Sequence, residues 1–373
     1  MLICSALAKG ESVVSGVEYG EDILATIDCI RSLGAQVMRD GSTVHIRGIK
    51  KITSPVFLNC RESGSTLRFL IPVSVTSENH AEFFGAGKLM QRPMSEYEKL
   101  LPLHNVKYTK KAESILVEGK LTGGRFVLDG AVSSQFVSGL LFSLPLLDID
   151  SEIILENSVE SRPYIDLTLS ALEKFGIEAF WQSENTILVK HGNYRPGSHT
   201  VEGDYSNAAF FTALSDEVKV TGLDENSLQG DRVFEEIFNR IKKEKISADI
   251  SDCPDLGPIL FAAAAKNHGA VFTGTRRLKD KESDRLGCMK TELEKFGIEM
   301  IIKENEVEVL PAVLKKPKEP IVCHNDHRIA MAMSVLLTDT GGIISGCECV
   351  KKSMPDFFER LKELNARFEK YEA

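Results

Sequence analysis

Asn325-Asp-His-Arg328 runs straight into Ile329-Ala-Met-Ala-Met333, so an acid, an imidazole and a guanidinium stand together at the start of an apolar helix. That setting is hard to reconcile with a solvated surface, and the three side-chain types suit anion binding and proton transfer. Asp252-Cys-Pro-Asp255 precedes the Ala-rich run Leu256 to Ala265, which makes Asp255 either a helix N-cap or a carboxylate aimed into a cleft. Lys279-Asp-Lys-Glu-Ser-Asp-Arg285 alternates charge before Leu286 to Phe296; it is either a solvated loop or a second set of ionisable groups. Lys351-Lys-Ser-Met-Pro-Asp356 again sets lysine before a helix start.

The first half offers donors more than acids. Arg61-Glu-Ser-Gly-Ser-Thr-Leu-Arg68 is a Gly-centred loop entering an apolar helix, a place where backbone N–H groups meet anions, although capping alone explains it as well. Arg92 stands immediately before Pro93, which starts a helix readily and keeps the guanidinium near its positive end. Ser133-Ser-Gln135 and Ser161-Arg-Pro-Tyr164 are hydroxyl-bearing helix starts, either caps or ligand contacts. With Arg92, Arg285, Arg328 and Lys352 as cations, and with no metal-ligand spacing, Ser-His-Asp set or Cys-His pair, the expected ligand is a small polyanion and no metal is expected.

These clusters sit at the joints of a repeat. Leu172-Glu-Lys-Phe-Gly-Ile-Glu178 recurs letter for letter as Leu293-Glu-Lys-Phe-Gly-Ile-Glu299, and each copy leads to an alternating run, Thr186 to Lys190 or Glu306 to Leu310. The pattern predicts a helix closed by a left-handed glycine, then a hairpin. Weaker copies begin at Ile30, at Leu100 and at Ile237. A last copy from Phe358 has Asn365 where glycine stood and ends at Ala373 without its hairpin, while Met1 enters directly on a helix. The simplest expectation is that a short amino-terminal segment which would close the last repeat is missing; the alternative is that terminal repeats are frayed caps. Tyr194-Arg-Pro-Gly-Ser198 is the best break, so two domains of three repeats each are expected, 1–198 and 199–373, the last repeat incomplete, with the ligand site in the cleft between the halves.

Composition narrows the class further. A net charge of −9 argues against general nucleic-acid binding. An apolar fraction of 43% with 27% charged residues describes an ordinary globular chain. The apolar stretch near Leu140 to Leu147 is interrupted by Ser143 and Pro145, too short to span a bilayer, and no signal peptide is read at Met1. The 8 cysteines contain no C-x-x-C pair and read as reduced core residues. A cytoplasmic monomer without nucleic-acid or membrane partners is expected.

Over essentially its full length the sequence resembles the 5-enolpyruvylshikimate-3-phosphate synthases. The resemblance rests on Ser133-Ser-Gln135, Arg162-Pro-Tyr-Ile-Asp166, Gly203-Asp-Tyr-Ser206, Lys281-Glu-Ser-Asp-Arg285, Asn325-Asp-His-Arg-Ile-Ala-Met331 and Lys352-Ser-Met-Pro-Asp-Phe357, in family order. It implies an α/β fold, the two-domain enolpyruvyl transferase architecture of βαβαββ repeats around a pseudo-threefold axis. It also implies transfer of the enolpyruvyl group of phosphoenolpyruvate to the 5-hydroxyl of shikimate 3-phosphate, with release of phosphate and no cofactor. By resemblance Glu282 shuttles the methylene proton, Asp255 activates the hydroxyl and Lys281 completes the catalytic group. Gly64, Arg92, Gln135, Arg285, Arg328 and Lys352 would hold phosphoenolpyruvate. Ser133, Ser134, Gln135, Ser161, Tyr164, Asp255, Arg277 and Lys281 would hold shikimate 3-phosphate.

Two departures accompany the likeness. The family opens with a strand and a Lys-Ser loop that would precede Met1, and the loop after Arg61 reads Glu62-Ser-Gly-Ser65 where the family commonly has Asn-Ala-Gly-Thr or Asn-Ser-Gly-Thr. The alternatives are UDP-N-acetylglucosamine enolpyruvyl transferase, which shares fold and chemistry, and a catalytically impaired anion-binding relative.

Overall fold

The two copies of the heptapeptide close their helices in the same way. A computed structural model describes residues 1–369; residues 370–373, where the expected incomplete repeat ends, lie outside the described residues. Ile177 N donates to Leu172 O (3.0 Å) and Gly176 N to Glu173 O (2.8 Å), and Ile298 N and Gly297 N repeat the pattern on Leu293 O (3.2 Å) and Glu294 O (2.8 Å). The motif needs a left-handed residue just past the helix, and Gly176 (φ 75°) and Gly297 (φ 80°) supply it. Asn365 (φ 68°) does the same for the last helix, asparagine being among the side chains that tolerate this region best.

Contacts divide the chain into one unit of Met1–Glu202 and a second from Gly203 onward. The first unit opens with α1 (Leu2–Leu7), buried on every side, followed by β1 (Glu11–Ser15), α2 (Glu21–Ser32) and the hairpin β2 (Gln36–Asp40) and β3 (Thr43–Arg47). Two complete βαβαββ repeats follow. One runs β4 (Val56–Asn59), α3 (Gly64–Ser74), β5 (Asn79–Phe84), α4 (Ser95–Leu100), β6 (Val106–Lys110) and β7 (Ser114–Gly119). The other runs β8 (Arg125–Asp129), α5 (Ser134–Ser143), β9 (Ser151–Glu156), α6 (Arg162–Lys174), β10 (Ala179–Trp181) and β11 (Thr186–Val189). Their sheets share one order, β4-β5-β7-β6 and β8-β9-β11-β10, the first pair parallel and the others antiparallel. The first sheet reaches that order with a borrowed strand: β12 (Ser198–Thr200) pairs in parallel with β1, giving β12-β1-β3-β2. That pairing is why the unit extends past Ser198 to Glu202.

In the second unit α7 (Tyr205–Thr212) and α8 (Phe234–Ile241) precede a complete repeat: β13 (Ile246–Asp249), α9 (Gly257–Lys266), β14 (Ala270–Thr273), α10 (Arg285–Lys295), β15 (Met300–Ile302) and β16 (Glu306–Val309). The copy expected at Ile237 to Ile246 takes another form. No glycine follows α8, and Ile246 to Asp249 become the opening strand of the next repeat, parallel to β14, instead of half of a hairpin. The final group is β17 (Ile321–Val322), α11 (His327–Thr340), β18 (Ile344–Ser345) and α12 (Phe357–Glu363), with β17 and β18 parallel and no hairpin among the described residues.

Strand alternation puts one face of each sheet inward. Along β4, Val56 and Leu58 are buried while Phe57 and Asn59 are exposed. The buried apolar side chains form one cluster in each unit, from Leu2 to Tyr194 and from Ala209 to Leu361. All eight cysteines are free thiols, Cys288 and Cys347 half-buried and the rest buried. No helix among the described residues is long and apolar enough to cross a membrane.

Candidate active site

In the first unit the polar residues gather where α3, α5 and α6 begin. Ser63 caps α3, its Oγ accepting from Thr66 N (3.3 Å). Gly64 is the first helical residue and lets the guanidiniums close in: a Cβ would lie 2.5 Å from Arg92 Nη1 and 3.3 Å from Arg68 Nη1, so Arg92 would have to move aside for one. Arg68, one turn further along α3 and 4% exposed, donates to Gln135 Oε1 (2.7 Å) and Pro93 O (3.2 Å), and its guanidinium rests 5.0 Å from the Phe136 ring centroid. Pro93 keeps Arg92 in the extended region (ψ 147°), which turns it off the preceding 3-10 turn.

Ser133 caps α5, Ser134 and Gln135 are its first two residues, and Ser133 Oγ accepts from Gln135 N (3.4 Å). The Tyr97 hydroxyl lies 2.8 Å from Arg68 O and 2.9 Å from Phe136 O, fixing α3 against α5. Ser138 and Thr168 meet at 2.8 Å and join α5 to α6, where Ser161 is buried and left-handed (φ 59°) and its carbonyl accepts from Tyr164 N (3.1 Å). Helix-start amides beside two guanidiniums form a field suited to phosphate or carboxylate oxygens. Arg162 is used elsewhere, 4.0 Å from the Trp181 ring centroid and donating to Glu184 O (3.0 Å).

The second unit builds its cluster around one guanidinium. Arg285, 1% exposed at the start of α10, donates Nε to Asp326 Oδ2 (2.9 Å), Nη1 to Asp255 Oδ1 (2.8 Å) and Nη2 to Glu282 Oε2 (2.6 Å). The charged stretch Lys279 to Arg285 is therefore no solvated loop at its carboxyl end: Ser283 is buried as well and donates to Asp326 Oδ2 (3.0 Å). Asp326 also caps α11 by accepting from Arg328 N (3.0 Å). Arg328 sends Nη2 to Asp255 Oδ2 (3.4 Å) and Nη1 to the Ser206 hydroxyl at the start of α7. Lys281 Nζ stands 3.4 Å from Asp255 Oδ1, and Lys352 Nζ donates to Asn325 O (2.6 Å) at the edge of the group. Arg277 acts on Lys281 through its charge.

Burial by itself would raise the Asp255 carboxyl, but Lys281, Arg328 and Arg285 outweigh it and hold the group well below the usual carboxylate range. Burial lowers the Lys281 ammonium, with Asp255 opposing and Arg285 and Arg277 adding to the fall. Burial, then Arg328, pushes His327 down to about 4, so its imidazole is neutral at pH 7. The cluster thus holds an ionised carboxylate, an ammonium softened towards proton exchange and fixed guanidiniums, an equipment for general acid–base steps on an anion.

Arg68 and Asp326 belong to the candidate site as well. The sequence placed both in charged runs at helix starts, Asp326 beside His327 and Arg328 and Arg68 four residues after Gly64, without giving either a contact of its own.

The family model described as EPSP synthase (3-phosphoshikimate 1-carboxyvinyltransferase) matches residues 1–361. The 3-phosphoshikimate 1-carboxyvinyltransferase of Clostridium perfringens is 39% identical over 392 residues, covering 97% of this chain and 92% of the relative. That of Clostridioides difficile is 35% identical over 407 residues, covering 99% and 93%. Among solved structures, an EPSP synthase from Acinetobacter baumannii superposes with a TM-score of 0.78 at 24% identity, covering 97% of this chain and 92% of that one.

Proposed function

Because the chain belongs to the EPSP synthase family and so transfers the enolpyruvyl group of phosphoenolpyruvate to shikimate 3-phosphate, we propose that the two clusters divide that reaction between them. Addition of the 5-hydroxyl oxygen to C2 of phosphoenolpyruvate requires a proton on the C3 methylene and removal of the hydroxyl proton. Elimination then takes a proton back from C3 as inorganic phosphate leaves. Asp255, ionised, accepts the hydroxyl proton and gives it up to the departing phosphate; Glu282, protonated at the start, delivers the C3 proton and takes it back; Lys281 offsets the charge of Asp255.

Arg92, Arg285, Arg328 and Lys352 offset the carboxylate and phosphate of phosphoenolpyruvate, with Gln135 and the Gly64 backbone completing its contacts. Ser133, Ser134, Gln135, Ser161 and Tyr164, with Asp255, Lys281 and Arg277, are assigned to shikimate 3-phosphate. The net charge of −9 supports a protein that does not engage nucleic acid, and we propose that it works as a cytoplasmic monomer.

The observation that carries this assignment is the Arg285 fork, which holds Asp255 on Nη1 and Glu282 on Nη2, two carboxylates at a fixed spacing on one planar cation. Phosphate release from the purified chain, followed with both substrates and with each alone, tests it. Release that requires both is expected. Calorimetric binding of shikimate 3-phosphate without release would instead identify an anion-binding relative, and release with UDP-N-acetylglucosamine in its place would identify the other transferase.

A further inference from the structure

The backbone between β17 and α11 is bent twice in succession. His324 (φ 53°) and Asn325 (φ 55°) both lie in the left-handed region, which histidine and asparagine enter more readily than most residues but as single residues, so two in succession call for support from their surroundings. The segment matters because it ends in the site: Asn325 O receives Lys352 Nζ, and Asp326 receives Arg285, Ser283 and the amide of Arg328.

What holds the bend is a buried acid on α10. Glu292, 1% exposed, lies seven residues after Arg285, two turns along the same face. Its Oε2 accepts Val322 N (2.9 Å) and Lys295 Nζ (2.7 Å), and its Oε1 faces His324 Nε2 at 2.9 Å, where an imidazole N–H donates to it. One helix face thus grips both ends of the segment, Glu292 the beginning and Arg285 the end.

The first unit contains the same device in other side chains. Arg61 (φ 51°) follows Cys60 at the end of β4 as His324 follows Cys323 at the end of β17. Its guanidinium reaches back to Glu21 and to Asp28 (2.6 Å) on the preceding helix α2, and the segment leads to Gly64. Arg61 and His324, two unlike nitrogen donors, are thus each tied to acids on the helix that precedes their strand.

We infer that Glu292 and His324 form a positioning pair: they set the double left-handed turn that orients the Asn325 carbonyl and Arg328, and through them Lys352, towards phosphoenolpyruvate, without touching it. The inference rests on the enolpyruvyl-transfer reading. Its test is steady-state kinetics of the full chain carrying Glu292→Gln, His324→Gly or His324→Gln, with calorimetric titration of phosphoenolpyruvate on the same proteins.

Glycine adopts the turn freely but lacks the imidazole, whereas glutamine keeps an N–H of similar reach. His324→Gly and Glu292→Gln should raise KM and Kd for phosphoenolpyruvate roughly tenfold, the scale of one charge-assisted hydrogen bond. KM for shikimate 3-phosphate should stay within about twofold, and His324→Gln should restore most of the loss. Wild-type affinity in His324→Gly, or equal rises for both substrates, would overturn the pair; since His324 is only part-buried, that variant decides the matter even if Glu292→Gln fails to fold. A wild-type chain that binds phosphoenolpyruvate but does not turn over would overturn the catalytic reading and leave the affinity comparison standing. A wild-type chain that does neither would overturn both.

Discussion

Asp255, Glu282 and His327 stand around the Arg285 and Arg328 guanidiniums, and each invites its own experiment. Glu282→Gln keeps a hydrogen-bonding side chain opposite Arg285 but cannot carry a proton to C3. It should lower kcat by on the order of 10²–10⁴, the usual size of a lost general acid–base group, with KM changing little. A large rise in KM with kcat preserved would make Glu282 a binding group instead.

His327 offers a stability measurement. Its folded pKa of about 4 lies below the ordinary 6.5, so between those values the unfolded chain takes up a proton that the folded one refuses. Its contribution is complete above pH 6.5, falls as pH drops from 6.5 to about 4, and amounts in full to roughly 3 kcal/mol. Urea titrations across that range should show a smaller slope of unfolding free energy against pH in His327→Gln than in the wild type. Asp255, held well below its usual range, acts lower still: its contribution is present above the ordinary carboxylate pKa and is lost only as pH falls through the depressed one.

At the scale of elements the three helix starts of the first unit depend on how closely helices and guanidiniums approach. Gly64→Ala would press a methyl group against Arg92 Nη1 and force the guanidinium away. Binding of phosphoenolpyruvate should weaken by roughly tenfold, as for one displaced charged contact, while circular dichroism and the unfolding midpoint stay near wild type. A variant that bound normally would show that Arg92 has another place to go.

This is also the scale at which the sequence was most legible. The helix stops at Gly176 and Gly297 and the hairpins behind them are local events, settled within a few residues, and can be read from the letters alone. The partners of Arg68 and Asp326 could not be read that way, because they lie far along the chain: 67 residues separate Arg68 from Gln135, and 41 separate Asp326 from Arg285. Sequence patterning marks where a helix begins. Which neighbouring helix a charge will face is decided by packing.

At the scale of the whole molecule, the separate cores of the two units make a statement about unfolding. Each unit buries an apolar cluster of its own, so calorimetry of the full chain should resolve two transitions, and residues 1–202 expressed alone should unfold cooperatively and reproduce one of them. A single transition whose van't Hoff and calorimetric enthalpies agree would contradict this. The borrowed strand of the first sheet has a mechanical consequence. β1 and β12 run side by side in the same direction, joined at Val13–Ser198, Val14–His199 and Ser15–Thr200. Tension applied between residues 11 and 202 therefore loads all three pairs in shear at once instead of opening them one by one. Single-molecule extension along that axis should meet one sharp rupture before either interior repeat yields, because those strands are the clasp by which a ring of three repeats is fastened.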